Sequence, residues 1–347
     1  MSGAPAWRYL IRRLAFVPIA LAALLTASFM LVNLIPGDPA EAIVGASGSA
    51  ADVEAVRVRL GLDKPFLERY VAFGEGVLTG HFGASFYSNA PVLDEIKGRA
   101  VSSLELVIPT LIVGIAAGVF LGTLGACFSG RTPDRIVGAL VSMGQACPGF
   151  LFGALVIFIF FHVLRVAPAP IGQHSFTDML APKHTGATFI DLAIEGDWRA
   201  CLGSLKYLAL PILTGAMPIA VIFAKMTRAT VAEALRGPAT EYARANALSE
   251  FLVIRWALRQ SRTPLITYVG ILVPVLLGGN AVVETLYAWN GLGQYAVQSI
   301  RELDVPVIQA YVLFIGLASL LSYVLLEFVV VMLDPRLSFA EGPANAR

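Results

Sequence analysis

Residues 233–264 read EALRGPATEYARANALSEFLVIRWALRQSRTP, and the organisation of the whole chain turns on this stretch. It is rich in Ala and Arg, amphipathic, and too polar to cross a bilayer. Apolar runs flank it at 207–223 and 264–283. Gly237-Pro238 predicts a helix start, with Pro at the first helical position, where its missing N–H costs nothing. Ala239, Ala243 and Ala247 recur every four residues and put a small-residue stripe on one face. Such a stripe lets another protein approach the backbone closely. Glu241 and Arg244 stand three apart and can pair on an adjacent face. In a second amphipathic stretch Leu252, Val253, Trp256 and Ala257 are apolar, and Arg255, Arg259 and Arg262 are basic. The plain reading is a solvated loop against anionic headgroups. The sharper reading is a rigid helical plug for a soluble partner, which points to a transport subunit that does not supply its own energy.

The rest of the chain supports a membrane setting. Of its 347 residues 57% are hydrophobic and only 14% charged, against about a quarter charged in a soluble domain. Mean hydropathy is +0.74. Six apolar runs are long enough to span a bilayer: 14–34, 104–127, 136–164, 207–223, 264–283 and 305–333. In hydrocarbon each must satisfy its backbone internally, so all six are expected as helices. Pro148, Pro211 and Pro274 are expected to kink or interrupt them. The first run follows Arg8, Arg12 and Arg13 but lacks a clean small-residue cleavage site, so it reads as a retained span.

Lys and Arg fix the expected orientation. The N-terminus, the loop 128–135, the loop 225–263 and the C-terminus share one basic side, which predicts cytoplasmic termini. Residues 36–103 lie opposite, with acids outnumbering bases. The expected division is 1–35 as first span, 36–103 as an external segment, 104–336 as a five-helix core, and 337–347 as a tail. Within the external segment, 49–61 predicts a short helix capped by Ser49, with Asp52 in its first turn and Gly61 ending it. A second helix is expected over 66–78, and the two make a small external cap. His174 and His184 fall in a later external loop without a third ligand at suitable spacing, so no metal is expected. Cys127, Cys147 and Cys201 share no ligand or redox spacing and read as packing residues. No Gly-Lys pair occurs, so nothing cradles phosphates as a P-loop does; any ATPase is a separate polypeptide. No cofactor and no nucleic-acid partner is expected.

A series of motifs resembles one family. PGDP stands at 36–39, LGLDKP at 60–65 and GHFGAS at 80–85, where His81 replaces an Asp of the family pattern. Pro91-Val92, Ser103-Leu104-Glu105-Leu106, Pro148-Gly149-Phe150, Leu210-Pro211 and Thr227-Arg228 follow in order. Val283-Glu284-Thr285, Gly291-Leu292-Gly293, Asp304-Val305-Pro306 and Leu333-Asp334-Pro335-Arg336 close the series. In this order the chain resembles the membrane-spanning permease subunit of bacterial ABC importers for peptides and nickel, of the dipeptide/oligopeptide permease B type.

The resemblance implies an all-α fold of the type I ABC importer permease kind in the bacterial inner membrane. It also implies a homologous second permease making a heterodimer, two cytoplasmic ATP-binding subunits, and an extracytoplasmic binding protein that delivers cargo. The family's cytoplasmic coupling motif places its Glu on Glu241, its second Ala on Ala243 and its Gly on Ala247. That Gly permits a turn at positive φ, where Ala costs on the order of 1 kcal/mol. Glu233, Arg236, Glu241, Ala243, Arg244 and Ala247 are the expected ATPase contacts. For the translocation path the embedded polar residues are Gln145, Asn280, Glu284 and Glu327; each either lines the path or pairs inside the bundle. Peptides are the expected cargo, with nickel chelates, glutathione and oligosaccharides as variants on the same machinery. An ion-coupled secondary transporter needs inverted repeats and several buried ionisable groups, and a membrane scaffold needs no coupling helix; the sequence fits neither as well.

Overall fold

The computed structural model describes residues 6–34, 37–44, 49–59, 61–173, 185–278 and 280–333. Helices dominate, and among the described residues the only β-type pairing is an isolated bridge between Ala84 and Pro91. His174 and His184 lie outside the described residues. The chain opens with α1 (Ala6–Leu34), followed by the short α2 (Pro39–Val44) and the cap helices α3 (Ala50–Arg59) and α4 (Phe66–Thr79). The two cap helices begin and end close to where their sequences signal. Ser49 Oγ accepts from Asp52 N at 3.2 Å while Asp52 Oδ2 accepts from Ser49 N at 3.0 Å, a reciprocal cap. Gly61 ends the first at φ +66°. Phe29 ties α1 to α4 through edge contacts with Phe66 and Tyr70 at centroid distances of 5.1 and 5.3 Å.

The bundle is organised by two long helices, α5 (Val92–Cys127, 36 residues) and, after α6 (Thr132–Ala146), α7 (Gly149–Ile157) and α8 (Thr188–Ile194), α9 (Trp198–Leu235, 38 residues). At 1.5 Å per residue each is over 50 Å long, more than a bilayer needs. Both therefore protrude. The boundaries expected near residues 103 and 225 fall inside them, because a helix continues past the end of its apolar stretch wherever its polar residues stay on the solvated face. α5 and α9 approach closely along a glycine ridge. A Cβ at Gly118 would stand 2.4 Å from Phe223 Cβ and 2.7 Å from the Ala220 carbonyl oxygen, and one at Gly122 2.5 Å from the Ala224 carbonyl oxygen. Gly114 meets Ile219 in the same way. Small residues four apart let two apolar helices pack backbone against backbone.

The third apolar run is not one straight span. It breaks at Cys147-Pro148, and the two arms, α6 and α7 with its π-helical extension Phe158–Val163, meet at 103°. Pro148 takes the position before α7, where its ring would clash within a continuous helix. Pro211, by contrast, is accommodated inside α9. The polar loop before the fifth run forms α10 (Pro238–Ala245) and α11 (Glu250–Gln260); the apolar body of the run is α12 (Arg262–Leu277), and its last residues enter α13 (Ala281–Leu286). The chain ends with α14 (Leu292–Glu302) and α15 (Val305–Leu333). Among the described residues α5, α9 and α15 are each long and apolar enough to cross a membrane, the bent pair is so only when its two arms are taken together, and α1 and α12 contribute shorter apolar stretches, 17–31 and 262–273. All six expected runs thus fall on helices, with the third bent. Cys127 and Cys147 are half-buried and Cys201 buried, all as free thiols.

Candidate functional site

α9 runs directly into the polar loop. It ends at Leu235, and Gly237 then turns the chain at φ −74°, ψ 156° so that Pro238 opens α10. Thr240 Oγ1 donates back to the Ala234 carbonyl oxygen at 2.7 Å, which fixes the angle between the two helices. At the far end Leu248 N donates to the Ala243 carbonyl (3.1 Å) and Ala247 N to the Arg244 carbonyl (2.9 Å). This is a Schellman turn, and it puts Ala247 at φ +54°. The position therefore has the left-handed backbone that a glycine adopts freely and an alanine does not. Ala247→Gly is expected to stabilise the chain by about 1 kcal/mol, raising its thermal midpoint in detergent. A lowered midpoint would show that the turn is not the strained element.

α11 seats the loop on the bundle. Val253 and Ala257 are buried, and Ala257 joins Ala126 of α5 and Val231 of α9 in one apolar cluster. Of the alanine stripe only Ala239 and Ala247 face outward. Ala243 is 1% exposed, so its side chain is used inside the chain. A second correction concerns Arg244. Its guanidinium pairs with Glu250 at 3.0 and 3.3 Å rather than with Glu241, because the Schellman turn swings the start of α11 back over α10. Glu233, Arg236, Glu241 and Arg244 are all exposed. Tyr242 and Phe251 are 71% and 74% exposed, an aromatic pair left in the open on a polar loop. Glu233, Arg236 and Gly237 also line a groove with Ser129 and Arg228.

Behind that groove stands a clasp. Arg228 of α9 donates to both carboxylate oxygens of Asp134 at 2.5 and 2.9 Å, and Gly130 N adds a third bond at 2.9 Å. The guanidinium and the amide hold the Asp134 carboxyl well below its usual range, at about 2. The clasp fixes the α5–α6 turn to α9 at the end of the bundle that carries α10.

The expected path residues separate. Gln145 is exposed on α6, just before the break. Asn280 is half-buried ahead of α13, with its amide against α9: a Cβ at Gly215 would meet Asn280 Nδ2 at 2.8 Å. Glu284 lines no open space. It is 0% exposed, accepting from Ser103 Oγ at 2.7 Å and from Gln294 N at 3.0 Å. Ser103 Oγ in turn accepts from Leu292 N at 2.8 Å. The carboxylate thus closes the N-terminus of α14 and ties α13, α14 and α5 together. Trp289, buried beside it, donates Nε1–H to the Ser102 carbonyl at 2.9 Å. Glu327 lies on α15, and its side chain is outside the described residues. The sequence reading did not single out the glycine ridge, the Asp134–Arg228 clasp or Trp289. The GxxxGxxxG spacing at 114–122 was the one legible signal among them.

Comparison with known proteins places this architecture. Residues 114–339 match the family described as binding-protein-dependent transport system inner membrane component, and residues 6–112 match the N-terminal region of such components. The chain is 31% identical to the probable D,D-dipeptide transport system permease protein of Escherichia coli (strain K12), over 97% of this chain and 99% of that one. It is 31% identical to the dipeptide transport system permease protein of the same strain, over 95% of this chain and 98% of the relative. The glutathione transport system permease protein of that strain is 30% identical, over 95% of this chain and 99% of its own length. The chain belongs to the binding-protein-dependent transport inner membrane component family. It is a multi-pass inner-membrane transport component of the ABC permease type.

Proposed function

Starting from that membership, we propose that the chain is one half of the membrane pathway of an ATP-driven importer of short peptides, and that α10 and α11 receive a separate ATPase subunit. The single observation that carries the docking assignment is the continuity of α9 into α10. A helix of 38 residues ends in a short helix set by the Thr240 bond, seated by Val253 and Ala257, and presenting Glu241, Tyr242 and Phe251 outward. A push on α10 is delivered to α9, and the glycine ridge passes it to α5. The exposed aromatics offer apolar area at low conformational cost, and Glu233, Arg236 and Glu241 offer charge pairs at its rim. The loop's Lys and Arg content supports a cytoplasmic location for it and for both termini.

Peptide cargo is supported by relatives named for dipeptides and for glutathione, itself a tripeptide. One chain with these crossings supplies part of a pathway, so a homologous second permease completes it, with an extracytoplasmic binding protein delivering the cargo. The exposed apolar faces of α6 and α7, including Ile136, Leu140, Met143, Phe150 and Leu151, provide area for that second permease or for lipid.

The test is co-purification of the full-length chain from its native membrane, beside Glu241→Arg. The chain is expected to retain an ATPase and a second permease, and the variant to keep the permease while losing most of the ATPase. Equal ATPase recovery with both would remove Glu241 from the docking surface.

A further inference from the structure

At the opposite end of the bundle from α10, a cavity of about 500 Å³ opens between the cap helices, the outer end of α1 and the start of α15. Arg59, Lys64, Arg69 and His81 line it, and none of its lining residues is Asp or Glu. The gathering is not a product of composition, because this segment of the chain carries more acids than bases. Arg57, half a turn before Arg59, shows the contrast: it pairs with Asp38 and Glu54. Among the described residues Arg59, Lys64 and Arg69 pair with no carboxylate. Arg69 instead holds its guanidinium 6.0 Å over the Phe29 ring. Three cations facing one cavity repel one another unless an anion joins them.

The surroundings say where that anion comes from. On α4, Leu67, Val71 and Leu78 fall on one helical stripe, and all three are exposed, Leu78 at 87%. Leu34, at the end of α1, is 80% exposed. α1 carries the apolar stretch 17–31 of an inner-membrane component, so its outer end, just beyond that stretch, lies at the level of the headgroups. α4 lies beside that level with its leucines exposed on one face, Glu68 and Glu75 on the flank, and Arg69 turned to the cavity, and an exposed apolar stripe of this kind suits an element that rests in the bilayer surface.

We propose that this cavity binds the phosphodiester of an anionic phospholipid, with α4 resting its Leu67–Val71–Leu78 stripe among the acyl chains. Arg59, Lys64 and Arg69 meet the phosphate, and Phe29 and Phe73 wall off the apolar side. The bound lipid then adds to the Phe29 ring contacts that hold the cap on the bundle. The inference rests on the membrane placement supplied by the family and is independent of the cargo.

The test reconstitutes the full-length chain in nanodiscs of phosphatidylcholine doped with phosphatidylglycerol. Lipid retained after extraction is counted by native mass spectrometry. The chain is expected to keep phosphatidylglycerol in preference to phosphatidylcholine. The Arg59→Gln/Lys64→Gln/Arg69→Gln variant is expected to lose that preference, by roughly five-fold per cation. Lys64→Gln alone, at an exposed position whose ammonium pairs with no carboxylate among the described residues, is expected to show one such step and guards against misfolding of the triple variant. Undiminished phosphatidylglycerol retention in both variants would overturn the proposal. So would complete displacement of the lipid by millimolar glycerol phosphate, which would make free phosphate the ligand. Loss of the second permease from the triple variant with lipid retention unchanged would assign the face to that subunit and overturn it equally.

Discussion

Gly118→Val is expected to abolish the folded bundle. The added Cβ would stand 2.4 Å from Phe223 Cβ, 2.7 Å from the Ala220 carbonyl oxygen and 3.1 Å from Ala224 N. Two of these three atoms are backbone of α9, and Phe223 is fully buried, so no flexible side-chain end can give way. Overpacking of this kind costs about 1–3 kcal/mol where neighbours can shift, and more here, because α9 would have to part from α5 along the whole ridge from Gly114 to Gly122. The expected result is a chain that is degraded in the membrane or elutes as aggregate from detergent. Gly98→Ala is the control on the same helix. Nothing lies within 4 Å of a Cβ there, so the change is expected to be neutral or to stabilise by about 0.5–1 kcal/mol. A Gly118→Val chain that folds and melts like the parent would mean that α5 and α9 do not approach as described.

Glu284→Ala is expected to be the second most damaging change, and Glu284→Gln to be mild. Alanine leaves the Ser103 hydroxyl and the Gln294 N–H without an acceptor in a site closed to water. Each buried donor left unpaired costs about 1–3 kcal/mol, and the lost side-chain volume adds to it. Glutamine fills the same volume and keeps the bond from Gln294 N on its oxygen, while the bond to Ser103 Oγ is reversed, with the amide donating and only the Ser103 hydroxyl proton losing its acceptor. It forfeits the attraction between a carboxylate and a helix N-terminus, about 1 kcal/mol. Thermal midpoints in detergent and limited proteolysis of the α13–α14 segment separate the two outcomes. If glutamine were as harmful as alanine, the charge itself would matter, and Glu284 would return to the translocation path.

How far the sequence was legible can be judged residue by residue. Local rules worked where a few neighbouring residues decide the backbone. Gly237-Pro238 starts a helix, Ser49 caps one, Gly61 ends one, and Pro148 breaks a span. The turn at Ala247 has the positive φ that its place in the coupling motif calls for. What the sequence hid was set by tertiary contact. The spacing of Glu241 and Arg244 suits an ion pair, but the turn that follows brings Glu250 closer, and two charges drawn to one guanidinium resolve by geometry. Glu284 reads as an embedded acid, and only the folded chain shows it occupied by a serine 181 positions away in sequence. Asp134 and Arg228 stand 94 positions apart, so no window could pair them. Helix limits were the other weak point. Hydropathy marks where a helix leaves the apolar layer, whereas α5 and α9 end where their hydrogen bonds end.

The central claim is that α10 and α11 form the seat of a separate ATPase, and a photocrosslinking amino acid at Tyr242 tests it most directly. This side chain is 71% exposed and takes no part in fixing α10 through its ring. In native membranes, irradiation is expected to join the chain to an ATP-binding subunit, with a second adduct from the same probe at Phe251 on α11. Adducts with lipid alone at both positions, from membranes in which the intact transporter still co-purifies, would contradict the account and make the loop a membrane-surface element.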